Sequence, residues 1–221
     1  MRRDIKIDIE GGATVSGIWL APAKPRACLV LAHGAGAGMT HASMSAIAEG
    51  LHERGVASLR FQFPYMERGS KRVDSPGVAH AAVRSAVSEA RKHGGKLPLY
   101  AGGKSFGGRM TSQAQAKAPL EGVRGLVFFG FPLHPAGAPS VERAAHLADV
   151  GVAMLFLQGT NDALAEVALI RRTVASIRRH ATLKLIAEAD HSFHVPKRSG
   201  RTNDQALAEV LDAAVEWMIA L

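Results

Sequence analysis

The chain has 221 residues, 47% hydrophobic and 21% charged, a length and balance that fit one globular α/β domain. Its net charge of +8 comes from scattered pairs, Arg2-Arg3, Lys71-Arg72, Arg171-Arg172, Arg178-Arg179 and Lys197-Arg198, with no basic tail and no interleaved aromatics. This reads as a solvated basic surface, so no nucleic-acid partner is expected. The single cysteine, Cys28, lies in an apolar run and excludes an internal disulfide. Met1–Glu10 has no apolar signal core and no stretch is long enough to span a bilayer, so no membrane partner and a cytoplasmic location are expected.

In chain order, Asp4–Ile9 and Thr14–Leu20 alternate in period two around Gly11-Gly12, which predicts an antiparallel hairpin at a sheet edge. Continuous apolar runs follow at Ala27–Ala32, Val56–Phe61, Leu97–Ala101, Gly125–Phe129, Val152–Leu157 and Thr182–Ile186, as strands buried on both faces require. Helical patterns fill the gaps: His41–Glu53, Val78–His93, Phe106–Ala118, a shorter one over Val141–Ala148, Ala163–Arg179 and Asp204–Ala220. Strands alternating with helices predict one domain over residues 1–221, a doubly wound, mostly parallel sheet with helices on both faces. In such sheets ligands bind at the carboxyl ends of the strands. Four loops there carry candidate chemistry: His33–Gly38, Gly102–Gly108, Gly159–Asp162 and Asp190–His194.

The second loop holds Gly103-Lys104-Ser105-Phe106-Gly107, a G-x-S-x-G motif between a strand and a helical pattern. A nucleophile on that sharp turn is exposed, and the glycines allow strand and helix to approach closely. A serine needs a base and an orienting acid, expected in the order Ser, Asp or Glu, His. Asp162 and His191 each follow a strand and satisfy that order. His194 rivals His191, Asp190 is adjacent to it, and Asp162 could instead cap a helix beginning at Ala163. The oxyanion hole needs two backbone donors. Phe106 should supply one, and the glycine-rich loop after Ala27–Ala32 the other, with Ala35 first and Gly36 second.

These motifs, His33-Gly34, Gly103–Arg109, Gly159-Thr160-Asn161-Asp162 and Asp190-His191, resemble the α/β-hydrolase superfamily. Within it the chain is similar to the small, lidless, dienelactone-hydrolase-like branch. The segments Leu59–Glu67 and Gly130–Pro135 bring it closest to the family that includes testis-expressed protein thirty. The resemblance implies an α/β-hydrolase fold with a Ser105, Asp162 and His191 triad. Dienelactone hydrolase proper uses a cysteine nucleophile, whereas this chain has Ser105, so lactone-diene specificity is not implied.

A crossover of about twenty residues between Phe129 and Val152 leaves no room for a cap domain, which predicts an open, shallow site favouring short acyl chains. His134, Tyr65 and Arg109 are candidate substrate-binding residues, with Glu67, Arg68, Lys71 and Arg72 as further rim residues. For His134 the alternative is satisfying loop backbone groups, and for Arg109 bracing neighbouring loops. His33 is expected to orient the oxyanion loop. No His, Cys, Asp or Glu cluster has metal-ligand spacing, and no cofactor is needed. The expected function is a serine hydrolase cleaving a small carboxylic ester or thioester through an acyl-enzyme. The alternative is a catalytically silent binding or scaffold protein on the same fold.

Overall fold

The alternation near the N-terminus folds into a hairpin, β1 (Arg2–Ile9) and β2 (Ala13–Leu20), which pair antiparallel across Gly11 and Gly12. Both glycines sit at positive φ, as a tight turn needs. In the computed structural model, which describes residues 1–177 and 180–221, this hairpin forms one edge of an eight-stranded sheet. Arg2, Arg3, Asp4, Lys6 and Asp8 charge the outer strand, which discourages edge-to-edge pairing.

The remaining strands are β3 (Ala27–Ala32), β4 (Val56–Phe61), β5 (Leu99–Lys104), β6 (Val123–Phe129), β7 (Ala153–Gly159) and β8 (Ala181–Ile186). The order is β1-β2-β4-β3-β5-β6-β7-β8, with β2 antiparallel to β4 and β3 through β8 parallel. The chain steps from β3 out to β4, then back across β3 to β5. That reversal is a topological switch point, and it sets the loops after β3 and β5 side by side.

Strand β5 starts at Leu99, not Leu97, and continues through Gly102 and Gly103 to Lys104. Those glycines belong to the ladder because β3 and β6 crowd them. A Cβ on Gly102 would collide with Val127 O, and one on Gly103 with Ala32 O.

One sheet face is covered by α1 (Ala42–Glu53) and α6 (Asn203–Ala220). The other carries α3 (Pro76–Gly94), α4 (Phe106–Lys117), a 3-10 helix (Glu142–Asp149) and α5 (Val167–Ser176), with a short α2 (Pro64–Glu67) between β4 and α3. Along β3 the side chains divide accordingly: Ala27, Leu29 and Leu31 face α1 and α6, while Cys28, Val30 and Ala32 face the other layer. Each large apolar side chain buried in either layer contributes about 1.5–3 kcal/mol relative to exposure. Cys28 is a buried core thiol, its pKa pushed up to about 12 by burial.

Two helix expectations need correction. The 141–148 pattern forms a 3-10 helix. Helix α5 begins at Val167, not Ala163, because Asp162 engages the intervening backbone: its Oδ1 accepts from Leu164 N and its carbonyl from Ala165 N. The predicted end of that helix, at Arg178-Arg179, lies outside the described residues. Helix α6 starts where its sequence dictates, Thr202 and Gln205 forming a reciprocal capping box. Among the described residues no helix is long and apolar enough to cross a membrane.

Candidate active site

Ser105 stands between the end of β5 and the start of α4, at φ 51. A non-glycine residue holds that angle at a cost, and the surroundings enforce it here. Strand β5 and helix α4 meet so closely that a Cβ on Gly103 or Gly107 would overlap Ala32 O. The crowding therefore comes from the end of β3, whose own loop forms the facing wall. Helix α4 begins at Phe106 with no side-chain cap, leaving first-turn N–H groups available beside Ser105.

The acid and the histidine come from β7 and β8. Asp162 is fully buried at its side chain, and its Oδ2 lies 2.7 Å from His191 Nδ1. Asp162 Oδ2 also accepts from Gln158 Nε2, while Gln158 Oε1 accepts from Phe131 N at 2.9 Å. Thus Gln158, buried in β7, ties the acid to the strand-end loop of β6. The imidazole rests against Gly130, where a Cβ would stand 3.3 Å from Nδ1 and Cε1; Gly130 itself turns at φ 72. His191 Nε2 is buried and has no hydrogen-bond partner among the described residues. His191 and Ser105 line the same cavity.

The rival residues lie elsewhere. His194 is 64% exposed at its side chain and stands 3.8 Å from the exposed carboxylate of Asp190. Asp190 Oδ1 accepts from the Ser192 and His194 N–H groups, which shapes the loop and turns His191 inward. Phe193, at φ 64, packs under this turn.

The loop after β3 is held from beneath. His33 is buried, its Nδ1 on Gly34 O at 2.8 Å and its Nε2 accepting from Phe63 N at 3.1 Å. Burial pushes its pKa down to about 4, so the ring is neutral and the two bonds define its tautomer. The Gly36 N–H donates to Tyr65 Oη at 2.9 Å and is therefore engaged. The Ala35 N–H makes no hydrogen bond among the described residues, and Ala35 lines the cavity beside Ser105.

Three expected substrate contacts are corrected. Tyr65 is fully buried against His33, Phe63 and Phe106 and does not line the cavity. Aromatic packing has drawn it inward as the prop of Gly36. His134 is buried as well: Nδ1 meets Pro135 O at 2.9 Å and Nε2 accepts from Glu166 N at 3.4 Å, so it satisfies loop backbone. Arg109 lies outside the cavity, its guanidinium 6.0 Å from the centre of the Phe106 ring. The supposed rim is also tied down elsewhere. Glu67 accepts from the backbone and hydroxyl of Ser16, and Arg68 pairs with Asp74 at 2.9 Å.

A cavity of about 630 Å³ opens beside Ser105 and His191. Its walls are small or apolar residues, Ala35, Ala46, Ile47, Leu164, Phe193 and Leu207, joined by His41, Ser43 and Lys104. Lys104 Nζ donates to His191 O at 2.8 Å and sits 5.5 Å from the Phe193 ring centre. Burial pulls its pKa down to about 8, against the opposing pull of Asp162 and Asp190. The site expected to be open and shallow from the short 130–152 crossover is bordered by a cavity of about 630 Å³. Its walls are α1, the start of α6 and the histidine loop, none of which needs a cap insertion.

The fold and the site define a class, and comparison with known proteins agrees. Residues 25–219 match the family described as Alpha/beta hydrolase domain, and the chain belongs to that family. Its fold is similar to a dienelactone hydrolase from Anabaena variabilis (TM-score 0.79, 20% identity, 100% of this chain and 97% of that one). It is similar to a serine hydrolase without a lid from Xanthomonas campestris (TM-score 0.76, 19% identity, 98% and 94%). It is also similar to Est1E from Butyrivibrio proteoclasticus with bound ferulic acid (TM-score 0.77, 17% identity, 98% and 98%).

Proposed function

We propose that the chain is a serine hydrolase that cleaves a carboxylic ester or thioester through an acyl-enzyme. The observation that carries this reading is the placement of His191. One ring nitrogen is fixed on buried Asp162, the other is buried without a partner among the described residues, and His191 lines the same cavity as Ser105.

In this reading Ser105 Oγ attacks the substrate carbonyl while its proton passes to His191 Nε2. Asp162 holds the imidazole through Nδ1–H and stabilises the imidazolium as it forms. The oxyanion is received by the N–H groups of Phe106 and Ala35. Gly36 is the poorer candidate, because Tyr65 occupies its N–H. Collapse transfers the proton from His191 to the leaving alcohol or thiol. Water, deprotonated by His191, then releases the acid and regenerates the serine. The cavity volume and apolar walls leave room for an acyl group of several carbons, so this reading does not retain the expected preference for short acyl chains. The segments Leu59–Glu67 and Gly130–Pro135 support a place nearest the testis-expressed protein thirty-like branch.

The test is fluorophosphonate labelling combined with hydrolysis of 4-nitrophenyl esters of graded acyl length. Wild type should label and turn over, and Ser105→Ala should do neither. Labelling that persists in Ser105→Ala overturns the assignment of the nucleophile. A folded wild type that neither labels nor turns over would favour the silent scaffold.

A further inference from the structure

Lys104 fills a variable position of the serine motif, where acyl transfer requires no cation. It ends β5 on the face that Tyr100 shares, under α1 and α6, and it lines the cavity immediately before Ser105. An ammonium offers three donors. Among the described residues Lys104 uses one, to His191 O, and it forms no ion pair. The carboxylates around it are engaged elsewhere. Asp162 serves His191, Gln158 and the Leu164 N–H, and Asp190 serves the Ser192 and His194 N–H groups.

A cation kept in a largely apolar wall without a salt-bridge partner costs stability that an apolar chain of similar length would not. With its pKa lowered only to about 8, the side chain still carries its charge at neutral pH. Among the described residues Lys104 is the one lysine or arginine lining the cavity, and Asp204 is the one acidic lining residue. An anionic group entering this cavity beside Ser105 would meet the Lys104 ammonium.

We propose that Lys104 selects the substrate, and that the ester cleaved at Ser105 carries a carboxylate on the part that enters the cavity, paired with the Lys104 ammonium. The inference rests on the hydrolase reading above. Because Lys104 and Ser105 line one cavity, a carboxylate paired with Lys104 would stand a short chain away from the scissile carbonyl. Monoesters of short dicarboxylic acids have that form, and an aliphatic ester of the same length is their neutral counterpart.

The experiment compares kcat/KM for the 4-nitrophenyl monoester of glutaric acid with that for 4-nitrophenyl pentanoate, in wild type, Lys104→Met and Lys104→Arg. The quantity read is the ratio of the two within each protein, which a general loss of folding or of histidine positioning leaves unchanged. Wild type should favour the glutarate monoester. Lys104→Met should lower the ratio by about 10- to 100-fold, the range for a lost charge-assisted hydrogen bond, and Lys104→Arg should restore most of it. Calorimetric binding of glutarate to wild type and to Lys104→Met gives a reading independent of turnover, and the methionine variant should bind more weakly by a similar factor. An unchanged ratio, or equal glutarate binding by both proteins, overturns the proposal. Failure of the hydrolase reading would show separately, as absence of fluorophosphonate labelling with the difference in glutarate binding intact.

Discussion

The two sides of Ser105 are built on opposite plans. On one side Phe63, Tyr65 and Phe106 close against one another and against His33, leaving no space for a ligand. On the other, alanines, a serine and a lysine border a cavity of about 630 Å³. Large aromatic side chains near a site are commonly read as substrate contacts. Here they brace the loop after β3, Tyr65 Oη accepting from the Gly36 N–H, and the cavity lies on the other side. The aromatic side supplies rigidity and the small-residue side supplies volume.

The largest expected effect lies where the two sides meet. Asp162→Asn should lower turnover by about 10⁴-fold with the fold intact, since a near-isosteric amide holds His191 in the wrong tautomer. Steady-state kinetics beside circular dichroism measure both. A loss below tenfold would mean that Asp162 is only a turn-forming residue of the β7 loop.

The aromatic side should reveal itself through acid stability. His33 is held neutral, its folded pKa near 4 lying below the ordinary value of 6.5. The stability it contributes is fully present above about pH 6.5 and is lost as pH falls toward 4. His146, also lowered to about 4, titrates in the same window, so His33→Gln should flatten the curve in part. Urea melts of both proteins between pH 4 and 7 measure this, and an unchanged slope would refute it.

A smaller effect tests the prop. Tyr65→Phe keeps the ring packing and removes only the acceptor for the Gly36 N–H. It should cost about 1–2 kcal/mol of stability and lower kcat by about tenfold, with KM less changed, because the oxyanion loop loosens. A change in KM alone would instead make Tyr65 a substrate contact. The smallest effect belongs to His194→Ala on the exposed rim, where kcat/KM should stay within about threefold, the range of a surface substitution. Loss of activity there, with His191→Ala still active, would reverse the assignment of the histidine loop.

Much of this was legible in the residues. The period-two hairpin, the continuous apolar strands and the helical patterns announce the doubly wound sheet, because burial on both faces leaves its mark on the inner strands and burial on one face on the hairpin. Ser105 was readable from its flanking glycines. Asp162 and His191 were readable as candidates from their positions after strands, with Asp190 and His194 as open rivals. The discarded contacts, His134, Tyr65 and Arg109, sit in the right loops, but sequence gives loop membership and not side-chain direction. Whether a tyrosine faces solvent or core depends on Phe63 and Phe106 arriving from other elements.

The parts played by Gln158 and Gly130 were not legible for the same reason. A polar residue ending an apolar strand and a glycine after another are the only local signs of a prop and a ring-sized gap. By itself, then, the sequence determined the order of elements and the residue types available at the strand ends, since hydrophobic periodicity and turn chemistry are local properties. Only the tertiary structure decided which nitrogen faces Asp162, which N–H remains free and which cation lines the cavity. Each of those depends on distances between segments that lie tens of residues apart in the chain.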